Sequence, residues 1–317
     1  MGREVTIVMY HYVREIANSS YPKIKGLEYS DFKKQIKYFK KNYQIIRMED
    51  FIDVFQKTKN LLPEKALLLT FDDGYIDHYR YVYPYLMEQG VQGSFFMPAQ
   101  ILDEGCVLDV NKIHFVLATR KVEDLVSELF TYIKKLRAEG MELEPPEKLF
   151  ERFALANRWD NKETIFVKRL LQKELPKKVR GAIVQELFEQ SVGIAEQEFS
   201  EELYLSMEQI RQMKADGMYF GNHGYGHYHL GSLSERQAEE DIKKGLDWFA
   251  ERGIFNPKEW VMNFPYGSFT EKTLLIAEKL GAQIGISVKP EIVNVDIHNR
   301  LSLPRFDTND FYPKKRL

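Results

Sequence analysis

Ala66–Tyr75 reads ALLLTFDDGY, an unbroken apolar run that ends in two adjacent carboxylates and a glycine. Its length and flanks are those of a buried strand. The carboxylates fall at the C-terminal end of that strand, the edge on which parallel α/β sheets build their sites. Runs of the same kind recur at Val5–Tyr10, Tyr43–Arg47, Gly93–Met97, Met218–Gly221, Trp260–Phe264, Ala282–Val288 and Leu301–Phe306. Amphipathic stretches with helix signals lie between most of them. Ser30 precedes Asp31–Asn42 as an N-cap, Ser206 with Gln209 and Ser234 with Gln237 have capping-box spacing, and Gly90, Gly217, Gly253 and Gly281 sit at helix C-termini. Strand and helix therefore alternate, which predicts an α/β fold with a parallel sheet, either closed as a barrel or open and doubly wound. Periodicity does not choose between the two.

The alternation stops between about Asn111 and Ser200, where apolar residues repeat at helical spacing among many charges. This reads as an insertion of three to five helices, with barrel or sheet segments at 1–118 and 201–317 and the insertion at 119–200. It would serve as a lid or substrate-recognition element, or as a cap that buries an exposed face. The 317 residues carry 45 Lys+Arg against 47 Asp+Glu, a net charge of −2, with 44% hydrophobic residues. That balance argues against a nucleic-acid partner, which calls for a clustered basic excess. The one basic run is Lys314-Lys315-Arg316. With Cys106 as the single cysteine, an intrachain disulfide and a Cys-Cys zinc site are both excluded, so any metal must use histidine and carboxylate. Met1–Val13 is too short and polar for a signal peptide or membrane span, and Gly2 with Thr6 fits a myristoylation pattern only weakly. The expected location is cytoplasmic, with at most peripheral membrane contact.

Three short segments carry the chemistry. Asp72-Asp73-Gly74 ends the first apolar run; one carboxylate could bind a cation while its neighbour faces a water on it, although Asp-Asp-Gly also makes a plain turn. His223-Gly224-Tyr225-Gly226-His227-Tyr228-His229 follows another apolar run and holds three of the chain's seven histidines. Its glycines disfavour a helix, so a loop that converges two imidazoles is expected. Two histidines and a carboxylate with open positions suit a metal that activates water. His229 is either a third ligand or a packing residue. Asn263-Phe264-Pro265-Tyr266-Gly267-Ser268 is a turn whose backbone N–H could hold an oxyanion.

Taken in order, TFDDGY at Thr70–Tyr75, HGYGH at His223–His227 and FPYG at Phe264–Gly267 resemble the polysaccharide deacetylases of the NodB-homology type, carbohydrate esterase family 4. MYHYV at Met9–Val13 and LPRFD at Leu303–Asp307 are similar to the poly-N-acetylglucosamine deacetylase branch. The resemblance implies a distorted (β/α)7 barrel, TIM-barrel-like, and hydrolysis of an acetamide on an amino sugar. It also implies a divalent metal, commonly zinc, with manganese, cobalt or nickel as alternatives. By motif position Asp73, His223 and His227 become metal ligands, Asp72 the general base, and Tyr266 the donor of a backbone N–H to the oxyanion. The family's late Leu-x-His is missing, and Asn263 stands where an arginine often tethers the base. His11 is therefore the implied general acid, with His78 and His298 as lesser candidates and His114 as a residue that could touch substrate. Arg305 is the implied replacement tether. Tyr75, Tyr225, Tyr228, Phe264 and Tyr266 suit stacking on a sugar ring or a flat heterocycle. The expected substrate is an N-acetylated amino sugar on a nucleotide, a lipid or a short oligosaccharide, destined for a surface polysaccharide. A non-sugar amide, or a binding barrel that has lost catalysis, are the alternatives.

Overall fold

A computed structural model describes residues 3–56 and 62–312. The Met1-Gly2 start and the Lys314-Lys315-Arg316 run lie outside the described residues. Two compact units are distinguished, one from Met1–Glu15, Gly26–Cys106 and Ser200–Leu317, the other from Ile16–Lys25 and Val107–Phe199.

In the first unit, six strands run β1 (Glu4–Tyr10), β2 (Ala66–Asp72), β3 (Ser94–Met97), β4 (Tyr219–Asn222), β5 (Trp260–Asn263) and β6 (Ala282–Ile286). Each is parallel to the next, with Tyr10 beside Phe71, Asp72 beside Phe96, Met97 beside Asn222, and Asn263 beside Ile286. Every residue of β2 to β5 is buried, as expected for parallel strands covered on both faces. The circle is completed late in the chain. Leu303 bridges Ile286 of β6, and Phe306 and Asp307 lie parallel to Val8 and Met9 of β1. The result is an α/β fold with a distorted (β/α)7 barrel. Gln44–Ile45 adds to the edge of β2, and Val293–Asn294 runs antiparallel to the start of β1.

Two local expectations differ from the structure. The run Leu301–Phe306 is not one strand: only Phe306–Asp307 is regular beyond the bridge at Leu303. Pro304 stands between them and has no N–H to give to a ladder. The first long helix spans Tyr29–Asn42, so Ser30 lies inside its first turn and Glu28 holds the cap position without a side-chain bond. The cause is the short pairing of Leu27–Glu28 with Val13–Arg14, which delivers extended chain directly into the helix. The capping boxes at Ser206 and Ser234 form as read.

The second unit is helical, with Asp109–Thr119, Val122–Ala138, Pro146–Phe153, Lys162–Arg169 and Lys177–Val192 as its main elements. Asp109–Thr119, read from sequence as the end of the barrel segment, belongs here because its side chains pack on Lys177–Val192. Lys112 donates to Gln185 at 2.6 Å and lies over the Phe188 ring. Tyr21 enters the same unit by meeting Phe115 and Phe199 edge-on. No helix among the described residues is long and apolar enough to cross a membrane.

Candidate active site

The site stands at the C-terminal ends of β2, β4 and β5. Asp72 is the last residue of β2; Asp73 and Gly74 then turn the chain with φ of 71° and 70°. A Cβ on Gly74 would come within 2.8 Å of Met97 Cγ, so only glycine fits that turn. Asp73, His227 and Tyr266 account for three of the four described non-glycine residues with positive φ. Such backbone costs of order 1–3 kcal/mol per residue, and its clustering marks a place where side-chain direction outweighs local stability.

His223 and His227 sit on a loop after β4, without helix, and that loop is clamped from outside. Asp241, on the helix Glu235–Glu251, accepts from the N–H groups of Tyr225 and Gly226 at 3.1 and 2.8 Å. The carbonyls of Gly224 and Tyr225 accept from Ala99 and Gln100. Gly224 has φ +74°, and a Cβ there would meet Asp241 Oδ2 at 2.5 Å. No motif announced Asp241, because its helix follows the loop and only the fold carries it back.

Asp73, His223 and His227 are buried and offer ligand atoms within 4.8 Å of one another. The Nε2 atoms of His223 and His227 lie 3.5 and 3.2 Å from Asp73 Oδ1, and that oxygen has no hydrogen-bond partner. Ligands at the bond lengths usual for zinc stand about 3.3–3.6 Å apart along a tetrahedral edge. A buried oxygen without a donor, faced by two imidazole nitrogens at that spacing, fits a divalent cation. The Asn263 carbonyl is 2.6 Å from His223 Nδ1, which fixes the tautomer that leaves Nε2 unprotonated. Tyr75 donates to the other oxygen of Asp73 at 2.6 Å. Burial raises the Asp73 carboxyl, but His227, His223 and His11 hold it well below the usual range. Burial lowers His227 and so favours its neutral form.

Asp72 belongs to a second, adjoining network. Arg305, 1% exposed, places both ends of its fork on the carboxylate at 2.9 and 2.8 Å. Its remaining N–H groups reach Ser287 O, Thr70 Oγ1 and Asn263 Oδ1, so all five donors are used. Asn263 Nδ2 donates to Asp72 Oδ1 at 2.7 Å. The residue that looked like a departure from the family pattern therefore binds both the carboxylate and the arginine. Burial alone would raise Asp72; the charge and hydrogen bonds of Arg305, with His223 and His11, bring it down to about 2.

His11 Nε2 lies 3.9 Å from Asp72 Oδ2, its side chain 41% exposed. His78 is not at the site surface. It is fully buried against Phe71, Tyr75 and Phe95, and its Nε2 holds the His11 carbonyl at 3.0 Å. His298 accepts from the Asn294 N–H beside the start of β1, at the end of the sheet opposite Asp72. Neither can serve as the acid. His114 lies on the helix Asp109–Thr119 of the second unit. His229 stacks on Tyr266 at 3.8 Å and is outside the Asp73 group. Of the aromatics expected to face a sugar, Tyr75, Tyr225 and Phe264 are buried; Tyr225 spends its hydroxyl on Asp103 and Glu104. Tyr228 and Tyr266 remain partly exposed.

His78 makes a pH prediction. Burial lowers it to about 4, against an ordinary value of 6.5. Between these values the unfolded chain binds the proton and the folded chain does not, so stability falls as pH drops from 6.5 to 4. The loss is about 3 kcal/mol. Denaturant midpoints across that window should fall more steeply for the wild type than for His78→Gln; parallel slopes would rule this out.

The polysaccharide deacetylase family model matches residues 59–144 and 178–285, more than half of the chain. The chain belongs to the polysaccharide deacetylase family. YxkH of Bacillus subtilis (strain 168) is 27% identical over 93 residues, a match spanning 29% of this chain and 33% of that relative's length. Among solved structures, the Streptococcus pyogenes deacetylase PplD, in complex with acetate, aligns over 96% of this chain and 92% of its own, with TM-score 0.57 and 17% identity. IcaB from Ammonifex degensii aligns over 99% and 96%, with TM-score 0.56 and 18% identity. At these identities the two structures speak to the fold.

Proposed function

We propose that the protein hydrolyses the acetamide of an N-acetylated amino sugar in a metal-dependent reaction that releases acetate and the free amine. The observation that carries the reading is the adjacency of two buried carboxylates with opposite equipment. Asp73 presents an oxygen without a donor to two imidazoles, while Asp72 is ionised and held by a saturated arginine. A divalent cation held by Asp73, His223 and His227 supplies Lewis acidity, polarising the acetyl carbonyl and lowering the pKa of a water.

The chain's own residues do the rest. Asp72 takes the proton of the attacking water as general base. The Tyr266 backbone N–H donates to the oxygen that gains charge as the carbonyl becomes tetrahedral. His11, partly exposed beside Asp72, gives a proton to the departing amine. His78 keeps His11 in place through its carbonyl. Tyr228 and Tyr266 offer ring faces to the sugar.

The test is an acetate-release screen over N-acetylated sugar nucleotides, glycolipids, short oligosaccharides and polymeric chitin. Release from an N-acetylhexosamine derivative separates this reading from a non-sugar amidase and from a binding barrel. The carrier is expected to be a nucleotide, a lipid or a short oligosaccharide; greater activity on chitin than on every precursor refutes that part. His11→Phe should reduce turnover by about 10²–10⁴ with metal content unchanged. Near-normal turnover would remove His11 from the mechanism.

A further inference from the structure

We infer that Tyr75 is a positioning residue that restricts Asp73 to one-oxygen ligation and thereby sets which metals the site prefers. The inference rests on the metal-site reading above. Tyr75 is fully buried, and its hydroxyl gives its one proton to Asp73 Oδ2 at 2.6 Å. Asp73 Oδ1, the atom facing His223 and His227, is the oxygen without a donor. The carboxylate is thus divided, one oxygen committed to a phenol and the other turned to the imidazoles.

The phenol cannot swing away. Tyr12 stacks on its ring at 4.0 Å and Tyr204 lies parallel on it at 6.1 Å. Its backbone is bridged to Tyr204, and the neighbouring Gly74 carbonyl and Ile76 N–H are bonded to Leu205 and Leu203. The side chains of Tyr12 and Tyr75 are also hydrogen-bonded to each other. The chain Tyr12, Tyr75, Asp73 thus ends on the carboxylate as acceptor, all three residues at most 3% exposed.

One-oxygen ligation keeps the coordination number low, as zinc favours. A carboxylate free to use both oxygens better serves ions that take six oxygen-rich ligands, such as manganese. Outer partners of this kind change metal affinity by about 10–100-fold when removed. Tyr75→Phe removes only the hydroxyl and keeps the ring.

The experiment titrates zinc and manganese into wild type, Tyr75→Phe, Tyr12→Phe and Asp73→Asn, and records the visible spectrum of each with cobalt(II). Tyr75→Phe should lose about 10–100-fold in zinc affinity and little for manganese, and its cobalt bands should weaken as coordination number rises. Tyr12→Phe, which leaves the Tyr75–Asp73 bond, should resemble wild type. Unchanged zinc affinity and cobalt bands in Tyr75→Phe overturn the inference. So does an equal change in Tyr12→Phe, which would assign the effect to the pair of hydroxyls and not to the Tyr75–Asp73 bond. If wild type binds none of these ions, or Asp73→Asn binds them equally, the metal-site reading itself falls.

Discussion

Arg305→Met is expected to destabilise the protein by about 3–5 kcal/mol at neutral pH, because it leaves the Asp72 carboxylate buried without its partner. Asp72 is buried and both ends of the Arg305 fork are on it. In the wild type its carboxyl is lowered to about 2 against an ordinary 3.8, so it contributes stability above pH 3.8 that is lost as pH falls through 2. Without Arg305, desolvation raises the carboxyl instead. The variant relieves its own penalty by taking a proton, so the stability gap to wild type should narrow as pH drops from 7 towards 3. Turnover should show an acid limb moved to higher pH. Arg305→Lys restores the charge but not the fork, and should recover only part of the loss. Denaturant titrations at three pH values decide the matter; a gap constant with pH would show that Arg305 acts by packing alone.

Asp72→Asn should lower turnover by about 10²–10⁴ while the metal remains bound, since asparagine keeps the shape of the side chain but cannot take a proton. Both Asp72 and Asp73 lie at the end of β2, yet their substitutions should separate. Asp73→Asn should lose metal and activity together, whereas Asp72→Asn should lose activity alone. Metal analysis alongside acetate release distinguishes the two, and loss of metal in Asp72→Asn would contradict the division of labour.

The frame was legible because it is written locally. Apolar runs ending in TFDD, FGNH and MNFP identify strand ends without knowledge of the partner strand, and the α/β alternation follows from them. Asp72, Asp73, His223 and His227 were visible for the same reason, each standing just beyond such a run. Apart from the Arg305 tether, what escaped were contacts between segments far apart in the chain. Asn263 bonds Asp72 across 191 positions, and Asp241 reaches back to a loop from the following helix. A buried tyrosine that holds a carboxylate and an exposed one that faces a sugar are spelled alike. The sequence accordingly groups Tyr75 and Tyr225 with Tyr266 as rings suited to stacking on a sugar or a flat heterocycle, and only burial separates them.

The ring closes through a segment made late, and this bears on how the chain is synthesised. Arg305 follows Asp72 by 233 residues. At about 5–20 residues per second, roughly 10–50 s pass between the two leaving the ribosome. Throughout that interval β1 has an open edge where Phe306 and Asp307 will lie, and Asp72 has no counter-ion. An open strand edge is a template for wrong pairing. Nascent chains stalled before Leu303 should therefore be the species that chaperones hold and that aggregates when they are scarce.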